Sequence, residues 1–91
     1  DNRMKFAYIY SDPLLEKIPQ PVKLGWEVDR VYQDLGKRSE LQQLFQDCQK
    51  NPPDCVLIRR LEELGDSVEE VTSSLSKFEE MGINLVAVEQ N

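Results

Sequence analysis

The stretch LEELGDS, residues 61–67, follows the segment CVLIRR, residues 55–60, whose first four residues are all apolar. A short apolar run of this kind is typical of a strand that is covered on both faces of a sheet. Asp66 or Ser67 has the side chain that a helix N-cap needs, and acids in the next turn complete a capping box. The stretch therefore predicts the end of a strand, a turn and the start of a helix.

Apolar side chains at helical spacing extend this pattern on both sides of the stretch. We expect the downstream helix to bury one stripe, formed by Val68, Val71, Leu75 and Phe78. Gly82 suits the left-handed residue after that helix, and residues 83–88 suit the last strand. Upstream, Ser39 and Gln42 fit the capping box of an earlier helix that ends at residues 51–53. Its expected stripe contains Leu41, Leu44, Phe45 and Cys48.

The first third of the chain predicts two strands joined by an irregular link. Residues 5–10 are aromatic and β-branched, as in a strand, and Ser11 begins the turn that ends it. Residues 14–18 can form one turn of helix, but two nearby prolines prevent a longer one. Residues 26–32 alternate and predict the second strand. The order of elements predicts a small three-layer α/β domain with a mostly parallel, four-stranded sheet.

Charge is distributed unevenly along the chain, which has a formal net charge of −6. Residues 1–60 carry ten Lys or Arg against nine Asp or Glu, whereas residues 61–91 carry Lys77 alone against eight acids. A surface as acidic as the second part repels a phosphate backbone. Histidine is absent from the sequence, which excludes histidine-based catalysis. We expect the acids of residues 62–70 to complement a helix dipole rather than to bind a metal.

The two cysteines, Cys48 and Cys55, are too few for the disulfide framework of a small secreted protein. We expect two buried thiols in a protein of the reducing cytoplasm. No apolar run reaches the roughly 20 residues of a membrane-spanning helix, so we expect no membrane partner. Residues 1–3, before Met4, look like a cloning remnant, and we take residues 4–91 as one domain.

An apolar strand, the stretch LEELGDS, an amphipathic helix, a glycine and another apolar strand follow one another in this chain. This arrangement resembles the N-terminal catalytic domain of the bacterial serine recombinases, the resolvases and invertases. The typical run in that family is Leu-Asp-Arg-Leu-Gly-Arg followed by Ser, and Leu61, Leu64 and Gly65 match it in place. The first strand ends in Ser11, as the family's first strand ends in a serine. The family then has an acidic residue, a glycine-containing loop, an arginine and, three residues later, a leucine that leads a helix. That order is matched by Asp34, Gly36, Arg38 and Leu41. The resemblance covers most of residues 4–89 and implies a resolvase-like fold whose first helix is shortened or lost.

In that family a serine hydroxyl attacks a DNA phosphodiester and forms a phosphoserine link, and arginines stabilise the phosphate in the transition state. The resemblance gives Ser11 the place of the nucleophile and Arg38 the place of one arginine. Three other arginine positions of the family carry Ile9, Glu63 and Asp66 here. Since one lost transition-state donor typically costs ~3 kcal/mol, three losses leave little strand exchange. The site is therefore expected to be degenerate.

A purely structural role is the competing hypothesis for each of these residues. Ser11 suits a turn at the end of a strand, and Arg38 suits a solvated charge in a loop. Arg59 and Arg60 are adjacent, so their side chains point to opposite faces of a strand and at most one can reach a given site. We expect both to pair with acids of residues 62–66.

Three functions stay open at the level of sequence. The first is an inactive recombinase-like domain that serves as a protein-interaction or regulatory module, with a protein partner or as a homodimer. The second is an active serine recombinase that uses Ser11 and Arg38 with Arg59 or Arg60. The third is a small-molecule site at the carboxyl ends of the strands, although the sequence has no glycine-rich phosphate loop. We favour the first, expect no cofactor, and expect DNA binding only if a basic domain follows Asn91 in a longer protein.

Overall fold

The structure, a computed structural model, describes residues 4–11 and 28–89 of the 91-residue chain. The described strands are β1 (Lys5–Ser11), β2 (Arg30–Leu35), β3 (Cys55–Ile58) and β4 (Asn84–Ala87). The described helices are α1 (Ser39–Lys50) and α2 (Val68–Glu80), and a 3₁₀ turn at Leu61–Leu64 precedes α2. The predicted α/β class is confirmed.

The four described strands form one sheet in the order β2-β1-β3-β4, and every neighbouring pair is parallel. Tyr8 in β1 lies opposite Tyr32 in β2 and opposite Ile58 in β3. This order confirms the predicted parallel, four-stranded sheet. It also makes the boundary between β1 and β3 the place where the strand order reverses, and open α/β sheets bind ligands at the carboxyl ends of strands there.

Both described helices pack on the same face of the sheet and build the main core with it. Phe6, Tyr8 and Ile58 come from that face, and the rings of Phe45 in α1 and Phe78 in α2 meet at a centroid distance of 5.0 Å. The other face carries a smaller cluster around Ala7, Cys55 and Leu57. The described residues therefore contain two of the three expected layers. The predicted link with its shortened helix, at residues 12–27, lies outside them.

The second strand differs from its prediction in position. It spans Arg30–Leu35 rather than residues 26–32, and it alternates by burying Tyr32 and Asp34 while Val31 is 49% exposed. Residues 26 and 27 lie outside the described part. The sequence pattern was misleading because one inward position holds a carboxylate, which apolar periodicity does not count as buried.

Helix α1 begins where it was predicted to begin, but its capping box is wrong. Its N-cap residue is Arg38, and no N-cap side chain bonds the first turn. The buried carboxylate of Asp34 does so instead, accepting hydrogen bonds from the Glu40 and Leu41 amides at 3.0 and 3.2 Å. The Tyr8 hydroxyl donates a third bond to it at 2.8 Å. The predicted buried stripe is confirmed at Leu41, Leu44, Phe45 and Cys48.

Helix α2 confirms its predicted cap and corrects its predicted stripe. The Ser67 hydroxyl accepts a hydrogen bond from the Glu70 amide at 3.2 Å. Phe78 is buried as expected, but Val68 is 79% exposed and Ser74 is buried instead. The Ser74 hydroxyl donates to the Leu64 carbonyl, so a polar side chain can face the core. Val71 and Leu75 are half-buried.

Two small residues fix the ends of α2. A Cβ at Gly65 would lie 2.5 Å from the Glu70 Cβ and 2.8 Å from the Val71 amide nitrogen, so only glycine fits that close approach. Gly82 has a φ of 71°, which confirms the predicted left-handed residue after the helix. From Gly82 the chain enters β4 at Asn84.

The cysteines are buried and unpaired, as predicted. Burial raises the pKa of the Cys48 thiol to about 11, because a thiolate is poorly solvated there. Burial also raises the pKa of Cys55. No helix in the described part of the chain is both long enough and apolar enough to cross a membrane.

Candidate functional site

The carboxyl ends of β1 and β3 lie side by side, and Arg59, Glu63 and Arg38 gather there around Tyr10. Backbone pairing between these strands ends at Tyr8 with Ile58. Beyond this pair, Arg59 after β3 reaches Tyr10 in β1 with its side chain, across the reversal point of the sheet. The 3₁₀ turn then returns Glu63 to the same place. This is the edge at which sequence reasoning placed a site.

Glu63 and Arg59 form a buried bridge over Tyr10. Arg59 Nε donates to Glu63 Oε2 at 2.8 Å, and the two side chains are 10% and 6% exposed. Arg59 Nη2 donates to the Tyr10 carbonyl at 2.7 Å, while the Tyr10 amide donates to Glu63 Oε1 at 2.8 Å. The pair therefore satisfies the backbone of β1 just beyond the last residue that β3 can pair. It acts as a side-chain continuation of the sheet.

Arg38 is held against the same cluster from the start of α1. Its Nη1 lies 2.8 Å from Asp66 Oδ1, and its Nε donates to the Glu63 carbonyl at 3.2 Å. Its guanidinium carbon lies 4.0 Å from the centroid of the Tyr10 ring, a cation–π contact. The side chain is only 14% exposed. The expectation of a solvated loop charge is therefore wrong for Arg38.

Ser11 ends β1 next to this cluster and is 2% exposed. Its carbonyl accepts a hydrogen bond from the Gly36 amide at 3.0 Å, which continues the pairing with β2. Side chains alternate along a strand, so the Ser11 hydroxyl points to the opposite face from the Tyr10 ring that Arg38 covers. The structure thus places Ser11 as the buried last residue of a strand. Its role as a nucleophile stays a prediction.

The expected division between Arg59 and Arg60 is confirmed. Arg59 points inward and is bound by Glu63, whereas the Arg60 side chain is 50% exposed and its Nε lies 4.0 Å from Glu63 Oε2. Both arginines pair with Glu63, which lies within the predicted acidic stretch of residues 62–66. Glu63 and Asp66, the acids at positions where the resemblance expects arginines, therefore bind Arg59 and Arg38.

Two participants were not identified from sequence. Tyr10 is the centre of the cluster, through its backbone and its ring, but it was counted only as a strand residue. Asp34 was matched to the family pattern without a role, and it fixes the first turn of α1 beside Arg38. The Asp34 hydrogen bond and burial raise the pKa of Tyr8, with burial the larger cause. The role of Asp34 could have been inferred from the alternation of β2, because Asp34 lies two residues after Tyr32 and therefore points to the same buried face.

The acids of the site do not form a metal centre within the described residues, where no group of three potential ligands is arranged to hold an ion. Glu63 and Asp66 contact arginines instead. The arrangement is one of paired charges: two guanidiniums and two carboxylates, each cation within 2.8 Å of one anion. The cluster can hold the ends of β1 and β3 and the start of α1 together. The positive charge of Arg38 and Arg59 is largely neutralised by the two carboxylates.

Comparison with known families gives one match. Residues 15–91 match the family model described as Resolvase, N terminal domain. The matched stretch includes Arg38, Arg59, Glu63 and Asp66, and it begins after Ser11. No curated protein matches the chain. The matched part spans most of the chain and contains the described site apart from the end of β1.

Proposed function

This chain belongs to the family of resolvase N-terminal domains, and from that membership we propose that it has kept the fold without DNA strand exchange. It acts as a protein-interaction or regulatory module. The observation that carries this proposal is the pairing of the site's two inward arginines with acids of the same chain. Arg59 lies 2.8 Å from Glu63, and Arg38 lies 2.8 Å from Asp66.

The electrostatic argument follows from what a phosphoryl group requires. Its transition state carries extra negative charge, which preorganised cations stabilise. Here each inward cation already contacts a carboxylate. A phosphate at Arg59 would have the buried Glu63 carboxylate as a close like charge, which costs roughly 4 kcal/mol at 4 Å and an effective dielectric near 20. The acids therefore oppose both binding and catalysis.

An active serine recombinase is the competing function. It would use Ser11 as nucleophile, supported by Arg38 and by Arg59 or Arg60. The observation in its favour is that Tyr10, the neighbour of Ser11, is bound by Arg59 and covered by Arg38. In this alternative the ion pairs would have to open when DNA binds. The two functions differ in one measurable product, a covalent link between Ser11 and DNA.

The test is to incubate the full chain with supercoiled DNA at low salt and to look for covalent adducts on denaturing gels. An active serine recombinase serves as the positive control. We expect no adduct. Adducts that disappear in Ser11→Ala but persist in Ser39→Ala, a variant at an exposed serine at the start of α1, would overturn the proposal. Circular dichroism checks that both variants are folded.

The partner of the module is either a second copy of the chain or another protein. Sedimentation of the full chain over a concentration series separates the two possibilities, because a homodimer dissociates on dilution whereas a monomer keeps its mass. Salt-dependent binding to DNA by the full chain would instead favour the recombinase.

A further inference from the structure

A cavity of about 420 Å³ opens between the 3₁₀ turn and the first two turns of α2. Leu61, Gly65 and Val71 line its inner part, and they are buried or half-buried. Val68 and Thr72 line its outer part, one helical turn apart. A cavity of this size has room for several apolar side chains of another molecule.

Val68 at the edge of the cavity is the most exposed large apolar residue in the described part of the chain. It is 79% exposed, compared with 49% for Val31 and 41% for Leu35. Single exposed apolar residues are common and need no explanation. Val68 differs because it lies beside an apolar cavity, and Val71 follows it at the spacing that puts both on one helix face. Together they offer a continuous apolar surface.

The rim of this cavity is acidic. Glu62 and Asp66 line it, and the next turn adds Glu69 and Glu70. Arg38 pairs with Asp66 at 2.8 Å, so the negative charge of the rim comes mainly from the exposed acids Glu62, Glu69 and Glu70. Lys77 lies over the Phe45 ring at 4.8 Å. The charge that complements this rim is positive. Nucleic acid and a second copy of this acidic stretch are both repelled by it.

We propose that this cavity is the docking site for a segment of a partner protein that inserts one or two large apolar side chains and flanks them with Lys or Arg. The apolar anchors fill the space beside Leu61 and Val71 and cover Val68. The flanking cations approach Glu62 and Glu69, and they compete with Arg38 for the exposed Asp66. The inference rests on the proposed protein-interaction function and names the class of partner for it.

The probe is a synthetic peptide with a central Leu-Leu pair and two lysines on each side, titrated into the ¹⁵N-labelled full chain. We expect saturable shifts confined to amides of residues 61–72, and weaker binding at high salt because the rim charges are exposed. A peptide with a Ser-Ser centre and a peptide with glutamate flanks are expected not to bind. Equal binding of either control peptide, shifts elsewhere, or no shifts would overturn the proposal.

Matched variants separate the apolar and the ionic contributions. Val68→Ser removes exposed apolar surface without disturbing the core, and we expect about tenfold weaker binding. Glu62→Gln is expected to weaken binding about threefold. Glu79→Gln, an exposed acid near the other end of α2, is expected to leave binding unchanged. A Val68→Ser variant that binds as tightly as the parent chain would overturn the proposed site.

The two proposals fail separately. Covalent DNA adducts at Ser11 together with selective peptide binding would refute the loss of strand exchange and keep the docking site. Absence of adducts together with absence of peptide binding would refute the docking site alone.

Discussion

Glu63 and Arg59 lie four residues apart and bind each other at 2.8 Å while they also bind the amide and the carbonyl of Tyr10. This bridge joins β1 to the end of β3 where backbone pairing has stopped. It gives the acid at position 63 a structural role. An arginine there would stand beside Arg59 as a like charge and would leave the Tyr10 amide without this acceptor.

Glu63→Ala is expected to destabilise the domain by about 3 kcal/mol, because it removes the carboxylate that faces the buried Arg59 charge and accepts from the Tyr10 amide. Urea denaturation of the parent chain and the variant measures the change. Glu80→Ala, an exposed acid, is the control and should stay within about 0.5 kcal/mol. The double variant Arg59→Met/Glu63→Leu should recover only part of the loss, because it removes the buried charge but also the partners of the Tyr10 amide and carbonyl. A loss below about 0.5 kcal/mol in Glu63→Ala would contradict the role given to the bridge.

Asp66→Asn is expected to change stability by less than about 1 kcal/mol, although it removes the 2.8 Å contact with Arg38. The reason is exposure, since the Asp66 side chain is 73% exposed and water screens the pair. Denaturation curves recorded beside those of the Glu63 variant make the comparison direct. Equal losses in the two variants would show that burial does not separate the two ion pairs.

Asp34→Ala is expected to cost about 2–3 kcal/mol, because two amides of the first turn of α1 and the Tyr8 hydroxyl lose a shared acceptor. Tyr8→Phe should cost about 1 kcal/mol, since it removes one of these three bonds. The measurement is again urea denaturation. Asp54→Ala, at an exposed aspartate before β3, is the control, and a loss as large as that of Asp34→Ala would contradict the specific role of Asp34.

Two glycines are expected to respond differently to substitution because they are required for different reasons. Gly65→Ala meets the Glu70 Cβ at 2.5 Å and should cost about 1–3 kcal/mol. Gly82 has open space around it but a φ of 71°, so Gly82→Ala should cost about 1 kcal/mol and Gly82→Asn less. Thermal or urea unfolding checks this order. If Gly65→Asn reduced stability no more than Gly82→Asn, the role given to the close contact at Gly65 would be contradicted.

The Asp47 carboxyl is expected to make the stability of the domain depend on pH below about pH 4. Hydrogen bonds donated by Tyr32 and Gln43 hold the pKa of this carboxyl below its ordinary value of 3.8. Its stabilising effect is therefore complete above about pH 4 and is lost as the pH falls through the lower pKa of the folded state. Denaturation midpoints between about pH 2.5 and 7 should fall less steeply in Asp47→Asn than in the parent chain. Parallel curves would contradict the assignment.

The elements that could be predicted are those whose signal is local. The run CVLI at residues 55–58, the α1 stripe of Leu41, Leu44, Phe45 and Cys48, and the caps at Ser67 and Gly82 depend on apolar spacing and on cap chemistry. These signals are contained in a few consecutive residues. The capping box at Ser39 was wrong and the burial of Ser74 was missed because groups on other elements decided both. The Asp34 carboxylate reaches the start of α1 from β2, and the Leu64 carbonyl accepts a hydrogen bond from the Ser74 hydroxyl.

The sequence by itself determined the class of fold, the resemblance to the family at residues 61–67 and the presence of acids at positions 63 and 66. Only the tertiary structure decided what the acids at those positions do. Arg38 reaches Asp66 from the start of α1, and Arg59 and Glu63 together bind the backbone of Tyr10 in β1. Spacing along the chain does not encode contacts between residues so far apart in sequence. Electrostatic pairing depends on distance and burial in three dimensions, which are set when parallel strands bring their carboxyl ends to one edge.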